Sequence, residues 1–189
     1  RKIVDEYDSK YEMGVLLVVD DAHGVGVSGK TGRGVEEIEG VHSDILVGTF
    51  GKGFGADGGY VVANQTIIDY LRESAATYIY SNPFSPGTAG ASLKAMELLD
   101  QDEGKKLLQK SRENIEYFKN VATKAGLKFA VNSSHAIQPV LIGDPVKTRE
   151  IVDRLFKGNI LVTQISYPVV PKGADEIRIQ ISAAHQKED

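Results

Sequence analysis

The chain has no cysteine, no tryptophan and only two methionines among its 189 residues. Without cysteine, disulfides, thiolate metal sites and a cysteine nucleophile are excluded. No apolar run approaches the ~20 residues that a membrane-spanning helix needs, so no membrane partner is expected. Positive charge is not in excess: 22 Lys and Arg stand against 26 Asp and Glu, a formal net charge of −4. No broad positive field therefore draws nucleic acid to it. Repeats and low-complexity tracts are missing too, no leader is visible at Arg1, and the expected setting is cytoplasmic. What remains is 41% hydrophobic and 25% charged, an ordinary globular composition. The length suits one domain, or a lobe plus a smaller one, with a sizeable core.

The chain reads as alternating helix and strand. "RKIVDEYDSKY" is a helix already under way, with Ile3, Val4 and Tyr7 on one face. It lacks an initiating methionine, so the expectation is a natural chain that begins upstream. "GVLLVVDD" reads as a buried parallel strand, "DILVGTF" (44–50) as a second and "GGYVVA" (58–63) as a third, followed by the helix "QTIIDYLRES". "YSNPFSPGTAG" breaks the pattern with two prolines and two glycines, and "ASLKAMELL" resumes helical spacing. A polar helix from about Gly104 to Ala125 places Leu107, Leu108, Ile115, Phe118 and Val121 along one side, with Gly126 as its stop. "IQPVLIG" is a strand. Asp144 and Pro145 open a helix that Gly158 closes. "NILVTQ" is a strand, and "EIRIQIS" alternates Ile177, Ile179 and Ile181 against Arg178, Gln180 and Ser182. The fold class is α/β, with a boundary near residue 100.

One short motif suggests a nucleotide. Gly24, Gly29, Lys30 and Thr31 fit G-x-x-x-x-G-K-[ST], the P-loop pattern. Its flanks argue against that reading. Gly32 and Gly34 fall where the first helical turn belongs, at about 1 kcal/mol each against helix, and no strand ending in a magnesium-binding aspartate follows. A P-loop protein stays as a remote alternative.

Two other strand ends carry reactive side chains at the edge where open α/β sheets bind ligands. "LLVVDDAH" delivers Asp20 and His23; "DILVGTFGKGFG" delivers Thr49 and Lys52. Singly, each has an ordinary explanation: a capping acid, a polar loop residue, a solvated lysine. Together they supply an acid, an imidazole and an amine at neighbouring strands. Gly51, Gly53 and Gly55 let backbone approach a bulky ligand beside that amine. Pyridoxal phosphate needs such parts: a lysine, an acid for its ring nitrogen and donors for its phosphate.

The segments "VVDDAHGVGVSGKTGRG", "GTFGKGFGADGGY" and "YSNPFSPGTAGAS" resemble the α-oxoamine synthases, pyridoxal 5'-phosphate enzymes of fold-type I that condense an amino acid with an acyl-CoA. The resemblance runs in matching order through essentially the whole chain. It implies that residues 1–100 are the C-terminal part of the cofactor-binding large-domain sheet. Residues 101–189 would be a small C-terminal α/β domain without the family's final helix. Lys52 would hold the cofactor and act as base at the substrate α-carbon, Asp20 would pair with the ring nitrogen and His23 would bond the ring oxygen. Thr49 would bind phosphate, Ser81 and the adjacent Asn82 would reach the phosphate of a partner subunit in a homodimer, and Arg178 would hold the substrate carboxylate. No metal is implied.

"YPVVPKGADEIRIQISAAH" (167–185) resembles the glycine C-acetyltransferase branch. That branch interconverts glycine plus acetyl-CoA and 2-amino-3-oxobutyrate plus CoA in threonine breakdown. The 8-amino-7-oxononanoate synthase branch, typically with Arg-Pro-Pro where Tyr167-Pro168-Val169 stands here, is the alternative, as is another acyl-CoA or amino acid. The match also implies that the first half of the large domain lies outside these residues. The expectation is that residues 1–189 alone are inactive and give no cofactor spectrum.

Overall fold

The computed structural model describes residues 1–189, which divide into two compact units, Arg1–Lys105 and Lys106–Asp189. In the first, β1 (Val18–Asp20), β2 (Ile45–Thr49) and β3 (Gly59–Ala63) form a sheet in the order β1-β2-β3. Strand β1 runs parallel to β2 with Asp20 opposite Val47. This parallel pair puts the C-terminal ends of both strands on one edge.

Three expectations are corrected in this unit. The strand expected from "GVLLVVDD" shrinks to Val18–Asp20, and Val18 and Leu16 are 57% and 58% exposed. β1 has only one hydrogen-bonded neighbour, so its apolar run is not sandwiched. β3 is antiparallel to β2, with Gly48 opposite Tyr60. The connection spans only residues 50–58, and a parallel return would need a crossover of about a dozen residues or more. The helix expected from Ala91 begins earlier: α5 is Pro86–Asp100. Ser85 caps it by accepting from the Thr88 amide, and Pro86 takes the first turn, where its missing N–H costs nothing. The opening helix is present as α1 (Lys2–Asp8), but Ile3 and Tyr7 on its apolar face are exposed. Helices α2 (Val35–Glu39), α3 (Gln65–Ser74) and α4 (Ala76–Ile79) complete the unit.

In the second unit, β4 (Ile137–Leu141), β5 (Thr163–Ile165) and β6 (Glu176–Gln180) form an antiparallel sheet in the order β4-β6-β5. Helix α6 (Asp102–Lys124) runs from the first unit into the second, and α7 is Pro145–Lys157. Leu108, Ile115 and Ala122 are buried along α6 together with Ala136, Val140, Ile177 and Ile181. The spacing of seven residues on α6 keeps one narrow seam inward. Leu107 and Val121, expected on that side, lie off the seam and are about half exposed. The strand expected at "NILVTQ" starts only at Thr163, and Leu161 is exposed. Asp144 caps α7 through the Lys147 amide, and the left-handed residue after it is Asn159 (φ 63°), one past Gly158.

Buried apolar side chains are unevenly shared. Of the eight that qualify, only Val25 belongs to the first unit. There, carboxylates clasping backbone amides supply much of the order. Glu36 accepts from the Ser43 amide (2.6 Å) and hydroxyl (2.5 Å) and faces His42 Nδ1 (3.2 Å). Glu37 accepts from the Thr31 amide and hydroxyl (3.0 Å each) and from the Arg33 amide (3.2 Å). Asp44 accepts from the Leu17 amide (2.7 Å) and Arg1 (2.8 Å). For both glutamates partial burial acts to raise the pKa, but the hydrogen bonds outweigh it and the net shift is downward. For Asp44 the Leu17 amide dominates and the shift is again downward.

A depressed folded-state pKa stabilises fully above the unfolded carboxylate value of about 4 and is lost as pH falls through the folded value. The urea midpoint is therefore expected to drop steeply below about pH 4, with a shallower slope in Glu37→Gln. A midpoint independent of pH between 5 and 2 would refute this.

Candidate active site

The post-β1 loop begins at an aspartate pair whose members face opposite ways. Asp20 is exposed, and its Oδ1 accepts from the Ala22 amide at 3.0 Å. Asp21 is buried at 7% exposure, and its Oδ2 accepts from the Val35 amide at 2.7 Å. The strand's two-residue alternation separates an acid offered to solvent from an acid used by the fold. His23 follows in the same loop and is exposed. The chain then closes on itself: Gly26 N donates to Gly32 O (2.8 Å), Gly34 N donates to Ser28 O (2.9 Å), and Val25 bridges Arg33.

The P-loop alternative fails on this geometry. The amides of Thr31 and Arg33, which would have to cradle a phosphate, converge on the chain's own Glu37 carboxylate. No helix starts until Val35, and that helix has only five residues.

The second loop leaves β2 at Thr49. The Thr49 hydroxyl donates to Gly58 O (2.8 Å) and accepts from the Gly51 amide (3.2 Å), closing the turn in which Lys52 stands exposed. Its one proton is spent inside the turn, so a phosphate contact from Thr49 requires exchanging the bond to Gly58. Phe50 anchors the loop from below, 4.9 Å from Tyr60, 5.6 Å from Phe54 and 6.4 Å from Phe84 between ring centroids. Burial pushes the Tyr60 phenol pKa up, and the Asp21 carboxylate adds to it.

The two loops meet backbone to backbone at Gly26 and Gly53. A Cβ on Gly53 would lie 2.7 Å from Val27 Cγ2, 2.8 Å from the Val25 carbonyl oxygen and 3.1 Å from the Gly26 carbonyl carbon. This contact fixes the Lys52 loop against the His23 loop. Asp20, His23, Thr49 and Lys52 thus share one edge of one sheet.

Ser81 and Asn82 lie exposed in the segment between α4 and α5. Ser81 Oγ reaches Tyr78 O at 3.4 Å, and Phe84, three residues on, packs on Phe50. Arg178 is half-buried on β6 of the second unit, in register with Pro139 and Thr163. Tyr167-Pro168-Val169 forms an exposed turn with a cis Tyr167–Pro168 peptide. The sequence assigns no role to Asp21 or Glu37. The doubled aspartate at a strand end was the available signal for Asp21; Glu37 had none.

An amine, a carboxylate and an imidazole at the carboxyl edge of parallel strands, in an α/β sheet, are the features of a fold-type I transferase. The chain belongs to the aminotransferase class I and II family, whose model matches residues 2–189. Within it, the chain is similar to α-oxoamine synthases. It is 38% identical over 186 residues to the 8-amino-7-oxononanoate synthase of Thermosipho melanesiensis, covering 97% of this chain and 46% of that protein. It is 39% identical over 189 residues to the 2-amino-3-ketobutyrate coenzyme A ligase of Escherichia coli, covering 98% and 45%. A serine palmitoyltransferase structure from Sphingomonas wittichii superposes with a TM-score of 0.81 at 27% identity, covering 99% and 46%. The chain therefore spans about half the length of the relatives it matches.

Proposed function

We propose that the natural protein is a pyridoxal-phosphate-dependent α-oxoamine synthase that joins an amino acid to the acyl group of an acyl-CoA. The observation that carries this is the placement of Asp20 and Lys52 at the ends of neighbouring parallel strands, their loops locked by the Gly26–Gly53 contact. The donor set fits the cofactor: an exposed amine for its aldehyde, a carboxylate for its ring nitrogen and an imidazole for its ring oxygen. When bound, pyridoxal phosphate supplies an electron sink for a carbanion at an amino-acid α-carbon.

The residues divide the remaining work. Lys52 Nζ takes the proton from that carbon and returns one later. Asp20 keeps the ring nitrogen protonated, and His23 holds the ring oxygen. Arg178 offers a two-pronged guanidinium to the substrate carboxylate. Thr49, and Ser81 with Asn82 across a homodimer, serve the phosphate.

The family likeness favours an acyl-CoA other than acetyl-CoA, as in 8-amino-7-oxononanoate synthase. Glycine with acetyl-CoA, giving 2-amino-3-oxobutyrate and CoA, is the second reading, supported by Tyr167-Pro168-Val169 in place of Arg-Pro-Pro. Turnover of the full-length protein with glycine and other small amino acids, each against short and long acyl-CoA, separates them. The reading as a whole is tested by treating the full-length protein with borohydride and mapping its peptides by mass. Pyridoxal phosphate fixed on Lys52 is expected; active protein with Lys52 unlabelled would overturn it.

A further inference from the structure

Asp21 stands between two residues of the proposed site and belongs to neither role. Its amide, its carbonyl and one carboxylate oxygen all hold backbone. Its amide donates to Val47 O of β2 at 2.9 Å, extending the sheet pairing one residue beyond Asp20. Its carbonyl accepts from the Gly24 and Val25 amides at 3.0 and 3.1 Å, which bends the chain just past His23. Its carboxylate accepts from Val35, the first residue of α2, across fourteen positions. The carboxylate is also roofed by Gly24 and Gly34: a Cβ at either would overlap it. The two ends of the loop, at Gly24 and at Gly34–Val35, thus close on this one side chain. The same loop presents Val25 O, Gly26 and Val27 to Gly53, one residue from Lys52.

We infer that Asp21 is a positioning residue. By clamping the start of α2 to the end of β1 it sets the height of the Val25–Val27 ridge on which the Lys52 loop rests, and so fixes Lys52 relative to Asp20 and His23. This rests on the proposed function for its catalytic meaning, but its structural content can be read without cofactor. The bond from Val35 can be removed from either side. Asp21→Ala deletes the acceptor. Val35→Pro deletes the donor at a helix position where proline is well tolerated, leaving the aspartate in place. Asp21→Asn keeps an oxygen that can accept the same amide. A control of the same kind lies at the far end of the strands, where Asp44 accepts from the Leu17 amide at 2.7 Å.

The experiment is hydrogen exchange of the full-length, cofactor-free protein, read at the Gly55 and Ala56 amides, which bond Lys52 O and Phe50 O within the second loop. Asp21→Ala and Val35→Pro are each expected to speed exchange there by at least about tenfold, the scale of one lost bond to a charged group. Asp21→Asn should stay close to wild type, and Asp44→Ala should act only near its own partners, Leu17 and Arg1. A parallel reading in the cofactor-loaded protein is the pH midpoint of its visible absorbance, which Asp21→Ala and Val35→Pro should move and Asp44→Ala should not. Faster exchange confined to residues 22–35 would overturn the inference, as would an equal response in Asp44→Ala. If Asp21→Ala does not fold, Val35→Pro and Asp21→Asn decide the matter. Failure of the wild type to take up cofactor would instead count against the proposed function and leave the exchange result to judge Asp21.

Discussion

Lys52→Ala is expected to lower turnover of the full-length protein by about 10⁴-fold or more, with no loss of thermal stability. A positioned base alone is worth about 10²–10⁴-fold, and this amine is also the proposed covalent attachment point. The side chain is exposed, and the turn that bears it is held by the Thr49 hydroxyl on Gly58 O and by the Gly55 amide on the Lys52 carbonyl, none of which uses the lysine side chain. The turn therefore survives the substitution. Arginine at position 52 should not rescue, because its guanidinium does not give up a proton near neutral pH. Lys30→Ala, in the segment that mimics a P-loop, should leave turnover within about twofold, as surface substitutions away from a site do. Steady-state rates with a matched melting curve check both; equal losses at the two lysines would refute the assignment.

Why Lys52 and not Lys30 was legible depended on flanks. The P-loop match rests on residue types alone, whereas a P-loop needs a helix whose first amides are free for phosphate. Two glycines after Thr31 already argued against that helix. They did not reveal Glu37, six residues beyond Thr31, as the anion that fills the nest. The sequence separates the two aspartates only in part. Alternation says that neighbours at a strand end face opposite sides, but not which is roofed by backbone. That depends on the return of the chain at Gly34, a contact across thirteen residues.

Valine-rich runs suggest a parallel sheet at β3, while the short link that carries Lys52 permits only an antiparallel return. On α6, counting apolar residues put Leu107 and Val121 inside. The heptad of Leu108, Ile115 and Ala122 faces the core instead, and one of its members is only an alanine. Of the helix caps, Asp144-Pro145 opens its helix as expected, whereas Ser85-Pro86, inside a segment read as a break, opens α5 through the same local chemistry.

The Gly26–Gly53 contact leads to the second large effect. Gly53→Ala should destabilise the full-length protein by about 1–3 kcal/mol, as over-packing does, and reduce turnover by about 10²-fold, the cost of moving a reacting group by ~1 Å. The added methyl meets the Val25 carbonyl and the Gly26 backbone, which cannot rotate away as a side-chain tip could. The Lys52 loop must therefore lift from the His23 loop. A Cβ on Gly51, on the other side of the lysine, would meet nothing closer than Thr49 Oγ1 at 3.6 Å, an ordinary contact. Gly51→Ala should leave the cofactor-free protein as stable as wild type to within about 0.5 kcal/mol. Urea unfolding of both variants without cofactor, then rates with it, makes the comparison. If Gly53→Ala proves as mild as Gly51→Ala, the two loops are not held by this contact. The mutual placement of Asp20, His23 and Lys52 would then need another cause.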